Sequence, residues 1–185
     1  MAISRDYYIK HRLELRIYDK KGYIMNLDTI KQELNKSWVN SVSWKCTDVN
    51  FHDEQLQGEY LVNLSETESE AAPHKLIVHG TDTNIIGMYH SVIHSLYAFK
   101  KGVFSAADLN PDTPFPELRR RVIIVGTNLR FKKAIFSDRV YLKSTITKQI
   151  DKGRLFFYDI NIDVCNGCQI IENKFCLNFR DELIK

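Results

Sequence analysis

One segment, residues 79–101, constrains the fold of this chain more than any other stretch. Its sequence is HGTDTNIIGMYHSVIHSLYAFKK. We predict a single helix over residues 84–100, which makes four to five turns at about 3.6 residues per turn. Any of the polar residues 81–84 suits the N-cap, because a short side-chain oxygen accepts an unpaired backbone N–H. Gly102 is a suitable stop.

The predicted helix is apolar over most of its circumference. The remaining narrow stripe consists of small residues, and no charge precedes Lys100. A helix of this kind is buried on several sides, and a small stripe lets a neighbouring sheet come close. At about 17 residues the helix is short for a membrane span. We therefore predict that the rest of the chain wraps around it. The small stripe comprises Gly87, Ser91, Ser95 and Ala98.

Length and composition limit the number of domains and the classes of protein to which this chain can belong. The 185 residues predict an N-terminal arm or small hairpin over 1–26 and a single domain over 27–185. A net charge of +3 argues against a dedicated nucleic-acid binder. The N-terminus has no apolar run of the signal-peptide type, no stretch is long and apolar enough to span a bilayer, and the four cysteines do not form a secreted disulfide framework. We expect a cytoplasmic protein without a nucleic-acid or membrane partner.

Alternating apolar residues predict strands on both sides of the helix. They cover 39–50, 58–64 and 74–79 before it, and 121–131, 138–150, 154–165 and 168–179 after it. Asn166-Gly167 predicts a type I′ hairpin between the last two strands. A short amphipathic helix is predicted over 27–38 and a long loop over 102–116. The order of strands, one long helix and further strands indicates an α+β fold in which an antiparallel sheet curls around one buried helix.

The helix and the last three strands resemble a hotdog fold. The resemblance is most specific at residues 128–142, NLRFKKAIFSDRVYL. Many hotdog dehydratases and thioesterases carry a similar run, with Ala134 and Ser137 here at positions where they have proline and glycine. Within the hotdog proteins, residues 38–179 resemble the FcoT-like acyl-thioesterases. Leu76 and Ile93 stand where that family carries a functional tyrosine and an asparagine. The residues that match the general hotdog run are Arg130, Phe131, Lys132, Lys133, Asp138 and Val140, and those that match the FcoT-like family are Asn84, Tyr97, Phe99, Arg130, Phe131 and Lys132.

The resemblance implies a substrate and partners. FcoT-like proteins were named as long-chain fatty acyl-CoA thioesterases, and some are associated with adding glycine to an enoyl thioester on an acyl carrier protein. For this chain the resemblance implies an acyl thioester substrate, with coenzyme A or phosphopantetheine as part of the substrate and no separate cofactor. It also implies a homodimer, and an acyl carrier protein is a further candidate partner. A role in biosynthesis is favoured over bulk lipid turnover.

Three candidate catalytic residues surround the start of the helix. Backbone N–H groups near Asn84 and the helix dipole can polarise a thioester carbonyl, as an oxyanion hole does. The resemblance places the substrate carbonyl at this end. His79 suits an acid or base, and Asp82 can orient it or activate water. The alternatives are an ordinary N-cap, a loop histidine and a capping aspartate.

Further candidates lie along the helix and after it. His90 and His94 are four residues apart and share a helix face. No acidic third ligand is nearby, so we predict no metal site but a pocket lined by His94 and Tyr97, together with Tyr89. His90 is also a candidate for handling a proton or the nucleophile.

A basic cluster follows the predicted long loop. Phe131 is a candidate substrate contact, and Lys132 and Lys133 next to it suit the phosphates of coenzyme A or phosphopantetheine, or the acidic surface of a carrier protein. The alternative is a solvated charged face.

The sequence leaves the reaction open. Hydrolysis, water elimination and addition to an enoyl thioester all need carbonyl polarisation and one acid–base group. The alternative from another class is a non-catalytic hotdog module that binds an acyl ligand or a partner protein. Motifs of serine-triad hydrolases, P-loop enzymes and nicotinamide enzymes do not occur.

Overall fold

The structure, a computed structural model, describes residues 17–18, 24–25, 44–52, 54–62, 78, 80–101, 103–104, 117 and 120–178. Contacts divide the chain into two units, Met1–Asn40 and Ser41–Lys185. In the first unit, strand β1 (Ile17–Tyr18) pairs antiparallel with β2 (Ile24–Met25). The helix predicted over 27–38, the loop over 102–116 apart from 103–104, and the strand over 74–79 apart from Val78 lie outside the described residues.

Six strands of the second unit form one sheet. They are β3 (Trp44–His52), β4 (Gln55–Val62), β5 (Val122–Phe131), β6 (Arg139–Asp151), β7 (Leu155–Val164) and β8 (Gln169–Asn178). Helix α1 (Gly80–Lys100) lies between β4 and β5 in the chain. The spatial order is β3-β4-β6-β7-β8-β5, and all neighbouring strands are antiparallel. This arrangement confirms the predicted α+β fold with an antiparallel sheet and one long helix.

The inner face of the sheet carries the core. On β7 five alternating side chains are all buried, since successive side chains of a strand point to opposite faces. On β8 the inward row begins at Gln169 and continues with Ile171 and Asn173, which are also buried. The buried residues of β7 are Phe156, Tyr158, Ile160, Ile162 and Val164.

Helix α1 lies against this inner face. Every residue from Ser91 to Phe99 is buried, and the helix contacts β4, β6 and β8. A Cβ atom at Gly87 would lie 2.5 Å from Ile171 Cδ1, so the Ile171 side chain packs into the space that the glycine leaves. Asn173 Nδ2 donates to Ser91 Oγ at 2.9 Å. The small stripe therefore lets β8 approach the helix, as predicted. No helix in the described residues is long and apolar enough to cross a membrane.

The start of α1 differs from the prediction. The helix begins at Gly80, so the expected capping residues 81–84 lie inside the helix, and the predicted start at Asn84 is wrong. Thr83 Oγ1 donates to the Gly80 carbonyl at 3.0 Å. A Cβ atom at Gly80 would clash with the Phe131 ring. The helix start thus depends on a contact with a strand about 50 residues away in sequence, which local residue patterns do not reveal.

The turn between β7 and β8 also differs in detail. The last strand pair is Val164 with Gln169, so the turn spans the four residues 165–168 rather than two. Cys165, Asn166 and Gly167 all have positive φ, at 49°, 55° and 82°. The hairpin is confirmed, and Asn166 and Gly167 have the positive φ that a type I′ turn requires, but Cys165 also adopts the left-handed conformation and the turn is longer than two residues.

Candidate functional site

The first turns of α1 bring together several of the predicted site residues. The first backbone N–H groups of a helix have no partner within it, and they lie at the positive end of the helix dipole. Asp82 is half-buried in the first turn, and Asn84 lies about one turn into the helix. The Phe131 ring lies against Gly80 and is still 59% exposed. His79 lies outside the described residues, so its role stays a prediction.

Asn84 faces the sheet. Gly80, Asn84, Gly87 and Ser91 are spaced four, three and four residues apart, which places them on one face of the helix. Gly87 and Ser91 contact β8, so Asn84 is directed toward the same strand. Its Oδ1 atom is buried and has no hydrogen-bond partner in the described part of the chain. The side chain is therefore not the ordinary N-cap that we considered as an alternative.

Sequence patterns did not single out Gln169, which lies at the same end of the helix. It is the first residue of β8, is 1% exposed and pairs in register with Phe131. Its Oε1 atom is buried without a hydrogen-bond partner among the described residues. Alternation along β8 places position 169 on the inward face of the sheet. A polar carboxamide at an inward position was the only feature of the sequence that could have indicated a functional role for Gln169.

Two lysines extend this region toward solvent. Lys132 and Lys133 follow Phe131 directly and are exposed. Their backbone N–H groups donate to the Cys168 carbonyl at 3.0 and 2.9 Å. The β7–β8 turn therefore fixes the backbone of both lysines just beyond the ring that covers Gly80.

His90 lies elsewhere, deep in the core, at 0% exposed. Its Nε2 lies 3.2 Å from the Leu56 carbonyl oxygen. A carbonyl only accepts, so Nε2 carries the proton and Nδ1 accepts from the Tyr60 hydroxyl at 2.9 Å. Burial, with a smaller contribution from His94, lowers the pKa of His90 to about 3. The ring is neutral, both nitrogens are occupied, and it is not part of the group at the helix start.

The other predicted helix residues also pack in the core. His94 is 0% exposed, its Nδ1 lies 2.8 Å from Ser144 Oγ, and burial lowers its pKa to about 4. The Tyr97 ring centroid lies 4.3 Å from that of Phe51. Tyr89 is fully buried, with its ring centroid 4.9 Å from that of Trp44. The space beside Tyr97, where we predicted a pocket, is occupied by Phe51, because β3 packs closely on this side of the helix.

A cavity of about 370 Å³ lies on the opposite, outer face of the sheet. It is lined mainly by exposed polar side chains of β3, β4 and β6, and none of the predicted site residues lines it. Its charged lining groups are Asp48, Glu59, Lys143 and Asp163. Because Glu59 pairs with Arg139 and Asp163 accepts from the Gly167 N–H, these carboxylates already have partners.

Comparisons with known proteins identify the fold. No protein-family model and no curated protein matches the chain. Among solved structures, a mutant thioesterase from Pseudomonas aeruginosa superposes with a TM-score of 0.52 at 15% identity, covering 82% of this chain and 93% of that one. The chain has a hotdog fold.

Two further matches to the hotdog domain have a TM-score of 0.49. A Haemophilus influenzae thioesterase is 13% identical, over 89% of this chain and 98% of that chain. The PaaI protein from the phenylacetic acid degradation operon of E. coli is 8% identical, over 82% and 91%. The predicted resemblance to hotdog proteins is confirmed at the level of the fold.

Proposed function

We propose that this hotdog protein is an enzyme that hydrolyses acyl thioesters. The observation that carries the proposal is the start of α1. Backbone N–H groups that have no partner within the helix, the Asp82 carboxylate, the Asn84 carboxamide and the partly exposed Phe131 ring lie within its first turns. The thioesterase activity of the protein from Pseudomonas aeruginosa with the same fold supports the choice of reaction.

The chemistry follows from charge development. When water attacks a thioester, the carbonyl oxygen becomes an oxyanion, and N–H donors at the positive end of a helix stabilise that charge. The Asn84 carboxamide has an NH₂ group that can donate a further bond. Asp82 is the described carboxylate of this turn, and we assign it the role of base for the attacking water. Water elimination and addition to an enoyl thioester use the same carbonyl polarisation, and the assay below separates them from hydrolysis.

The leaving group of the substrate, the thiol of coenzyme A or of phosphopantetheine, fits the exposed lysines. Coenzyme A and the phosphopantetheine arm of a carrier protein both carry phosphate groups. Lys132 and Lys133 place two positive charges in solvent directly after Phe131. We assign the phosphates to these lysines and the apolar acyl portion to the side of Phe131.

The first experiment follows thioester turnover by mass spectrometry. Saturated and enoyl thioesters of several lengths, on coenzyme A and on a carrier protein, are incubated with the full-length protein, with and without glycine. We expect free acid as the main product. Asn84→Ala should lower kcat by roughly 10²–10³-fold, as loss of an oxyanion donor does. Asn161→Ala, on an exposed residue of β7, is the matched control and should keep the wild-type rate.

Each alternative result has a defined meaning. Hydrated product or a glycine adduct in place of free acid would replace hydrolysis by elimination or addition. Turnover that is equal in wild type and Asn84→Ala would remove Asn84 from the site.

A second candidate is a non-catalytic module that binds an acyl ligand. The observation that favours it is the burial of His90, which leaves Asp82 as the one predicted acid–base residue at the helix start in the described residues. No product from any thioester, together with a rise in melting temperature on adding an acyl ligand, would establish this function.

We also propose that the protein is a homodimer formed through β5. In the described sheet β5 is an edge strand. Ile123, Ile124 and Val125 are 45%, 39% and 56% exposed on it. Three consecutive exposed apolar residues on an edge strand suit strand pairing and apolar contact with a second copy.

A further inference from the structure

The inward-facing row of β8 contains two carboxamide side chains, of which one is fully hydrogen-bonded and the other has an acceptor without a partner. Asn173 Nδ2 donates to Ser91 Oγ at 2.9 Å and to the Gly87 carbonyl at 3.5 Å. Its Oδ1 accepts from Thr127 Oγ1 at 2.9 Å. Gln169 lies two residues before Ile171 in the chain and is the next residue of the same inward row. It is just as buried as Asn173, but its Oε1 has no partner in the described part of the chain.

The contacts of β8 place Gln169 beside the first turns of α1. Asn173 contacts Gly87 and Ser91, and Ile171 contacts Gly87, so the row runs toward the helix start. From Ile171 to Gln169 the strand advances two residues, or about 6.6 Å. The same distance along the helix is about four residues, which leads from Gly87 back to the turn that holds Asn84. Phe131, the register partner of Gln169, lies against Gly80 and confirms this position.

Two unsatisfied acceptors therefore flank one end of the helix. Asn84 Oδ1 and Gln169 Oε1 are both buried without a partner among the described residues, and helical spacing and strand alternation place the two residues on the facing sides of α1 and β8. A buried acceptor without a partner costs free energy, so native proteins keep few of them. Neither oxygen accepts from the carboxamide NH₂ group of the other residue or from any other described residue, so the group that would complete both is a hydrogen-bond donor.

We propose that Gln169, together with Asn84 Oδ1, binds a hydrogen-bond donor on the acyl portion of the substrate, a hydroxyl or amino group on carbon 2 or 3. This inference rests on the proposed function, since the thioester carbonyl lies at the same helix end. Gln169 is then a specificity-determining residue. A site built to bond a polar group discriminates strongly against the analogue that lacks it, because its own polar atoms stay unpaired.

The test compares matched thioesters in the full-length protein. Plain acyl, 2-hydroxyacyl, 3-hydroxyacyl and 3-aminoacyl thioesters of equal chain length are assayed for kcat/KM. The dissociation constants of ketone analogues, in which CH₂ replaces the thioester sulfur, are measured by calorimetry. We expect wild type to prefer one donor-bearing compound at least about tenfold in both measurements. The hydroxyl and amino arms identify the donor.

Three variants separate the bond from a structural role. In Gln169→Leu, the ratio of kcat/KM for the donor-bearing thioester to kcat/KM for the plain thioester should fall close to one. Gln169→Glu keeps an acceptor oxygen and should preserve the wild-type ratio. Gln57→Leu, the same change at an exposed position of β4, is the control and should keep the wild-type preference. Gln169→Leu should also raise Tm by roughly 2–4 °C, because it removes a buried acceptor without a partner.

The outcomes distinguish the two proposals. Preferential analogue binding without turnover would overturn the hydrolase and leave the role of Gln169 standing. Turnover with equal values for plain and donor-bearing compounds would overturn the role of Gln169 alone. A lower Tm of Gln169→Leu with an unchanged preference would show that the side chain is structural. Absence of both binding and turnover would overturn both proposals.

Discussion

Two histidines show how environment decides what a residue does. His90 and His94 have the residue type and helix spacing of a functional pair, and the sequence alone favours a pocket for them. In the fold, Tyr60 and Leu56 occupy both nitrogens of His90, and Ser144 bonds His94. Their pKa values are lowered mainly because a charged imidazole loses its hydration in the core.

Acid stability is expected to depend on these two residues. An unfolded histidine binds a proton near pH 6.5, whereas His90 and His94 do so only at about 3 and about 4. Between these values the unfolded state binds more protons, so stability rises with pH and is lost as the pH falls from about 6.5 toward 4. Each histidine contributes a slope of up to about 1.4 kcal/mol per pH unit.

Urea unfolding between pH 4.5 and 7.5 measures this slope. His94→Phe should make the fall toward acid shallower, since it removes one of the two groups. His52→Phe, the same change at an exposed residue, should keep the wild-type slope. If the free energy of unfolding depended on pH equally steeply in His94→Phe and in wild type, the expected burial of a neutral His94 would be contradicted.

At the scale of elements, the spacing between α1 and β4 depends on a residue without a side chain. A Cβ atom at Gly58 would lie 2.9 Å from His90 Nδ1 and 2.9 Å from Tyr60 Cε2. Both rings are fully buried and hydrogen-bonded to each other, so neither has room to move.

Gly58→Ala should therefore destabilise the domain. Overpacking costs about 1–3 kcal/mol, of which the lower chain entropy of alanine offsets about 0.5–1. We expect a net loss of about 1–2 kcal/mol in chemical denaturation. Gly126→Ala is the control, because a Cβ atom there meets nothing within 4 Å. Equal stability of the two variants would show that β4 can shift away from the helix.

Elements with a clear local period were predictable, and contacts between distant elements were not. The strands after the helix follow from alternation, although the register shift in β5 between Ile124 and Gly126 does not. The helix start required the Phe131 ring at Gly80, which only the fold brings there. The position of Gln169 beside the first turns of α1 was not predictable for the same reason, since it depends on how β8 crosses the helix.

At the scale of the whole molecule, the exposed segment of β5 predicts the oligomeric state. Wild type should sediment at twice the 21.6 kDa of one chain. Val125→Lys should shift the protein to the monomer, because it places a charge among exposed apolar residues that a second copy would cover. Tyr141→Lys changes a similarly exposed residue on β6 and should stay dimeric. A wild-type monomer at tens of micromolar in sedimentation velocity would exclude this interface.

The far edge of the sheet determines where such assembly stops. Strand β3 has a register shift between Cys46 and Asp48, and its exposed positions carry polar or charged side chains, including Lys45, Asp48 and Asn50. An interrupted, charged edge is a poor template for another strand, whereas a smooth apolar edge at both ends would let chains add without limit. We therefore expect association through β5 to stop at a closed pair, and growth into fibrils to be disfavoured even when the protein is concentrated.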